Sequence, residues 1–172
     1  MHLTDWLPGR LGGGGSTIHF ATWRISSWQP LLSEADRSVV TRVLRTRRVQ
    51  GAELLAFVVM DDHVHALVRC AGPSVQHVLD LWKSYSAHGL RESHGRSGDV
   101  WQRDTFHRQV QDDGDLRERA AYIAANPWKR WPFGGKYPFV WEASRGLGAW
   151  QGGRPTVMSS ITSLVLGVAK AR

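Results

Sequence analysis

The chain has 172 residues, 42% of them hydrophobic and 22% charged, which suits one domain with a substantial core and excludes a chain disordered throughout. Twenty-two Lys and Arg against 15 Asp and Glu leave a formal charge of +7. That balance favours a polyanionic partner, nucleic acid before an anionic membrane, although a merely soluble basic surface accounts for it equally well.

Residues 1–16 end in Gly12-Gly13-Gly14-Gly15-Ser16. This run reads as a flexible lead and not as a phosphate-cradling loop, because no Gly-Lys-Ser/Thr follows it. The first six residues carry neither a basic nor an apolar stretch, and Cys70 is the single cysteine, so no secretion signal and no intramolecular disulfide are expected. Both features suit a cytoplasmic protein. Order is expected to begin near Thr17, and the alternation of residues 18–24 predicts a first strand.

Ser33 reads as a helix N-cap, with Asp36 as an imperfect capping-box partner, and the helix is predicted to run through Arg48. Val39, Val40, Val43 and Leu44 give it a buried stripe. Arg42, Arg45, Arg47 and Arg48 crowd its end, where cations suit the helix dipole as readily as a DNA phosphate. Residues 54–60 and 63–70 are apolar runs joined by Asp61-Asp62 and predict a tight antiparallel hairpin. Ser74 starts a second helix whose Val75, Val78, Trp82 and Tyr85 form a packing face, with Lys83 and Ser84 off that stripe.

Residues 100–103 lead into a predicted fourth strand at 106–111. A final helix over 115–126 is expected to stop at Pro127, with Leu116, Ala120 and Ile123 facing the core. This order predicts an α+β fold: a ferredoxin-like βαββαβ antiparallel sheet with two helices on one face and an added C-terminal helix. One domain is expected over 17–145. The tail 146–172 has no assigned role, and its uncharged stretch 155–169 is shorter than the ~20 apolar residues a spanning helix requires.

Candidate chemistry begins with His63 and His65. If they open a strand, residues two apart share a face and both imidazoles point the same way. Such a pair is two-thirds of a metal site or a pair of packing residues. In the final helix Tyr122 and Asn126 stand one turn apart on a shared face. A tyrosine can attack phosphorus once deprotonated, and an amide oxygen one turn away can join a metal held by two histidines. The same two residues would equally serve packing and helix termination.

The run 60–68, Met-Asp-Asp-His-Val-His-Ala-Leu-Val, resembles the motif strand of the HUH single-tyrosine transposases. Trp82-Lys83-Ser84-Tyr85, Val100-Trp101-Gln102-Arg103 and the run 121–127, Ala-Tyr-Ile-Ala-Ala-Asn-Pro, resemble more specifically the REP-associated tyrosine transposases. The resemblance spans roughly residues 18–144, with the motifs in the family's order. It implies that His63, His65 and Asn126 bind a divalent metal, Mg²⁺ or Mn²⁺, and that Tyr122 is the catalytic nucleophile. Imidazole ligands suit transition metals better than Mg²⁺, so a hard ion is implied by the resemblance alone.

The implied activity is a metal-dependent single-stranded DNA endonuclease and strand transferase that forms a 5′-phosphotyrosine on hairpin-bearing, REP-like DNA. The protein would act as a monomer or homodimer. A catalytically silent DNA-binding regulator on the same fold is the alternative, and a metal hydrolase using water is a third reading. Arg45, Arg48, Lys83 and Arg103 are candidate phosphate contacts, and some of the nine tryptophans could stack on bases.

Two departures from the family pattern stand out. Asp61-Asp62 replaces the usual Pro-Asn before the first histidine, which is expected to loosen the turn and add acid near the metal. After Arg103 the usual glycine, aromatic pair and acid are replaced by Asp104-Thr105-Phe106-His107, so one aromatic survives and the acid is gone.

Overall fold

The computed structural model describes residues 15–132 and 135–143, so most of the expected flexible lead and all of the expected tail lie outside the described residues. The elements are β1 (Ser16–Ile25), α1 (Glu34–Thr46), β2 (Ala52–Val59), β3 (His63–Ala71), α2 (Val75–His94), β4 (Trp101–Gln109), α3 (Asp113–Arg130) and β5 (Val140–Glu142). The strands form one sheet in the order β4-β1-β3-β2-β5, and every neighbouring pair is antiparallel. The first six elements are the expected βαββαβ unit. The short β5, which the sequence pattern did not suggest, extends the β2 edge.

Strand alternation divides the core in two. Ala21, Trp23, Phe57, Val64 and Val68 face the layer of α1 and α2, where they meet Val40, Leu44, Val78, Leu79, Trp82 and Leu90. Ile18, Phe20, Val58 and Leu67 face the other way and meet Leu116, Ala120 and Ile123 of α3. The expected stripe of the last helix therefore packs as predicted, on the sheet face opposite the first two helices. Among the described residues no helix is long and apolar enough to cross a membrane.

Local chemistry sets the helix boundaries. Ser33 caps α1 and closes a full capping box: its hydroxyl accepts from Asp36 N at 3.1 Å while Asp36 Oδ2 accepts from Ser33 N at 2.9 Å. Asp36 can replace the longer Glu because Arg96 and His94 close around its carboxylate from the far end of α2. The helix ends at Thr46, with Arg47 as its C-cap, slightly short of the expected Arg48. Tyr85, expected on the packing face of α2, is partly buried there beside Arg47.

Pro127 does not stop α3. The helix continues to Arg130, and Trp131 N closes the last turn on Pro127 O at 2.8 Å. So close to the end, the proline forfeits a single backbone hydrogen bond. Its own burial, with that of Trp128, offsets the loss. The extension carries Lys129 and Arg130 onto the same rigid element as Tyr122.

Candidate active site

His63 and His65 are the first and third residues of β3, and their rings lie edge to face with centroids 4.5 Å apart. The β1–β3 register sets Arg24 opposite His63 and Thr22 opposite His65. Thr22 Oγ1 is 2.7 Å from His65 Nδ1, and Asp62 Oδ1 is 2.6 Å from His63 Nδ1. Each histidine thus has a partner at Nδ1, which fixes its ring and leaves Nε2 for another ligand.

His65 is 7% exposed, and its Nε2 is buried without a hydrogen-bond partner. Burial, then the repulsion of His63, Arg24 and Lys129, pushes its pKa down to about 3. The ring is therefore neutral at any physiological pH, as a metal ligand must be. Burial opposes ionisation of Asp62, yet the hydrogen bond and charge of His63 and the nearby Arg130 and Arg24 hold its carboxyl below the ordinary range.

Tyr122 approaches from α3. Its ring meets His65 edge to face at 5.1 Å and Phe20 at 5.9 Å, while the ammonium of Lys129 sits 3.9 Å from the ring centroid. Partial burial lowers the Lys129 pKa. Asn126, one turn beyond Tyr122, is 6% exposed.

The residues fit a divalent ion. An orphaned, neutral imidazole nitrogen and a second imidazole with a carboxylate behind it are the usual donors and outer partners of a metal site. Among the described residues no three His, Cys, Asp or Glu side chains cluster suitably for a metal, so an ion held by the two histidines would need a further ligand of another type. The amide of Asn126 is of that type.

Asp61-Asp62 does not loosen the turn, as its replacement of Pro-Asn suggested. Asp61 O accepts from Leu32 N, Asp62 O from Ile25 N, and Met60 N donates to His63 O. Arg130 holds the Asp61 carboxylate and Arg24 that of Asp62. Ionic contacts supply here the rigidity that a proline would supply through its ring.

The four candidate phosphate contacts do not converge on this site. Lys83 is buried at 8% exposure, and its ammonium donates to Arg103 O at 2.8 Å and Thr105 Oγ1 at 3.0 Å. These bonds tie β4 to α2 and engage the ammonium within the fold. Arg103 is exposed and lines a groove with Asp80, Lys83, Ser84 and Arg91 of α2. Arg45 and Arg48 line a second groove with Arg47, Trp82 and Trp141, in the α1 and α2 layer and away from Tyr122.

Sequence reasoning missed Thr22, Phe20, Lys129 and Arg130. Lys129 follows Tyr122 by seven residues, two helical turns, a spacing visible once the helix is allowed past Pro127. Thr22 had no such signal, because only the strand register pairs it with His65.

The model of the IS200-like transposase family matches residues 17–126, a segment that contains both histidines and Tyr122 and ends on Asn126. Among solved structures, a REP-associated tyrosine transposase bound to a REP hairpin aligns with a TM-score of 0.52 at 18% identity, covering 80% of this chain and 91% of that one. At that identity the likeness shows a shared fold. A Deinococcus radiodurans R1 protein assigned as a transposase aligns with a TM-score of 0.49 at 20% identity, covering 63% of this chain and 88% of that one. No protein of curated function matches the chain. The chain belongs to the IS200-like transposase family of DNA-processing enzymes.

Proposed function

We propose that the protein is a metal-dependent single-stranded DNA strand transferase with Tyr122 as nucleophile. The observation that carries this reading is the placement of the Tyr122 ring 5.1 Å from that of His65, whose buried Nε2 has no partner. The hairpin-bound relative supports hairpin-bearing, REP-like DNA as the substrate class. His63, His65 and Asn126 would hold Mg²⁺ or Mn²⁺, which when bound supplies positive charge against the scissile phosphate.

Tyr122 does the bond chemistry. Its Oη attacks phosphorus in line as the bond from phosphorus to the 3′ oxygen breaks. The phenolic proton is released, the 3′ oxygen takes one up, and the products are a 5′-phosphotyrosine and a free 3′-hydroxyl. Lys129 sets its ammonium over the tyrosine ring, a cation beside the reacting residue. The ester bond conserves the energy of the broken phosphodiester, so a second 3′-hydroxyl can reverse the step without ATP. Packing of the tyrosine ring on His65 of β3 and on Phe20 restricts its motion, which supports this role.

Incubation with hairpin-bearing single-stranded DNA and Mn²⁺ tests the reading. A covalent protein–DNA adduct on a denaturing gel, absent in Tyr122→Phe, is expected. Binding without an adduct across a range of hairpins, or an adduct that survives in Tyr122→Phe, overturns it.

A further inference from the structure

Phe106 lies at 60% exposure on β4, an edge strand of the sheet. Its strand neighbours Arg103, Asp104 and His107 are polar and exposed, as suits an edge that must resist pairing with other chains. Among the described residues Trp28, in the loop after β1, is the other bare aromatic, and Phe106 is the one that stands on a strand. The register explains where it is aimed. Thr22 of β1 pairs with His65 on one side and with Phe106 on the other. Directly paired residues share a face, so His65, Thr22 and Phe106 form one row across three strands.

The Thr22 hydroxyl reaches His65, which establishes that this row faces the same side as the histidines. Strands lie about 4.8 Å apart, so the row places Phe106 about 10 Å from His65, roughly three stacked nucleotide rises. Helix α3 covers the middle of this face, where Phe20 meets Tyr122, and stops short of Phe106. The next row carries His63 and Arg24, whose half-exposed guanidinium adds a cation to the same surface. An uncovered aromatic ring, a cation and a nucleophilic tyrosine therefore share one face.

We infer that Phe106 is a stacking platform for an unpaired nucleobase within about three nucleotides of the phosphate attacked by Tyr122. The inference rests on the strand-transfer reading for the location of that phosphate. A π-face accepts any base, so Phe106 fixes the path of the strand and leaves sequence choice to other contacts.

The test uses the full chain, a labelled DNA hairpin with single-stranded flanks, and fluorescence anisotropy in EDTA, so that binding is read without cleavage. Phe106→Ala is expected to weaken binding by about 5- to 150-fold for the flanked hairpin, and Phe106→Leu by nearly as much, whereas Phe106→Tyr binds normally. A flankless hairpin should bind all four proteins alike. An abasic scan of the flanks then locates the base: at one position its removal weakens the wild type as much as Phe106→Ala does, and weakens Phe106→Ala no further. Equal binding of Phe106→Ala and wild type, or additive losses at every flank position, overturns the inference. The covalent-adduct assay fails or succeeds separately, so an adduct without this coupling removes the platform alone, and coupling without an adduct removes the strand transfer alone. Because Phe106 is solvent-exposed, its substitution leaves the melting temperature of the protein unchanged.

Discussion

Arg130, the last residue of α3, grips Asp61, in the turn before β3: its Nε and Nη2 lie 3.0 and 2.7 Å from Asp61 Oδ2. The helix that bears Tyr122 and Asn126 is thereby tied to the hairpin that bears His63 and His65. Asp61 is 8% exposed, and its other carboxylate oxygen is buried without a partner, so the Arg130 contact is its main compensation. The helix end is fixed by a charge pair whose two halves come from opposite sides of the candidate site.

This pair predicts a separation of binding from chemistry. Arg130→Met leaves a buried carboxylate uncompensated, a loss of about 1–3 kcal/mol in stability. Since Arg130 touches no reacting atom, DNA affinity should change little while the rate of adduct formation falls about tenfold or more through misplacement of Tyr122. The exchanged variant, Asp61→Arg with Arg130→Asp, should recover part of that rate. Single-turnover adduct kinetics beside anisotropy would show it. A uniform loss of binding and rate in Arg130→Met, without rescue by the exchange, would contradict a positioning role.

Thr22 offers a second test. Its hydroxyl lies 2.7 Å from His65 Nδ1, and with Nδ1–H as the donor the bond leaves Nε2 as a lone pair. Thr22→Val keeps the shape and removes the partner. Loss of such an outer contact typically weakens a metal site about 10- to 100-fold, and calorimetric titration with Mn²⁺ should read a drop of that order. Unchanged Mn²⁺ affinity would show that His65 takes no part in metal binding.

His65 also sets a pH dependence. An ordinary histidine in the unfolded chain titrates near 6.5. In the folded chain burial, then neighbouring positive charge, brings His65 to about 3. Between those values the unfolded chain takes up a proton that the folded chain refuses, so the stability present above pH 6.5 is lost as the pH falls toward 3. Melting temperatures of metal-free wild type and His65→Gln, followed from pH 7 to 4.5, should diverge at high pH and converge on acidification. Parallel curves would mean that His65 is not held neutral.

The parts legible in the sequence were those fixed by local periodicity. Alternation of two placed His63 and His65 on one face, and a spacing of four placed Tyr122 above Asn126. Ser33, Ser74 and the stripes at Val39–Leu44 and Leu116–Ile123 marked their helices for the same reason. Pairings across the sheet left no such trace. Thr22 meets His65 only because β1 lies beside β3 in one register out of several. Arg130 was hidden by Pro127, whose lost hydrogen bond is small beside the burial of Trp128. The bonds of Lys83 to β4 were equally hidden, because a lysine off the apolar stripe of an isolated helix reads as solvent-facing.

Lys83 therefore makes a final, discriminating prediction. A lysine bound to a DNA phosphate contributes about 0.9 to the slope of log affinity against log salt, and its removal lowers that slope. Lys83 instead donates to Arg103 O and Thr105 Oγ1. Burial lowers its pKa, against the pull of Asp80 and Asp104. Lys83→Met should keep the aliphatic packing, strand two acceptors on β4 and cost about 1–3 kcal/mol of stability. The salt slope should stay at its wild-type value, because no phosphate contact is lost. Thermal melting and anisotropy between low and moderate salt measure the two quantities on the same samples. A reduced slope with unchanged melting would restore Lys83 to the DNA surface, whereas a lower melting temperature with an unchanged slope identifies it as the strut between α2 and β4.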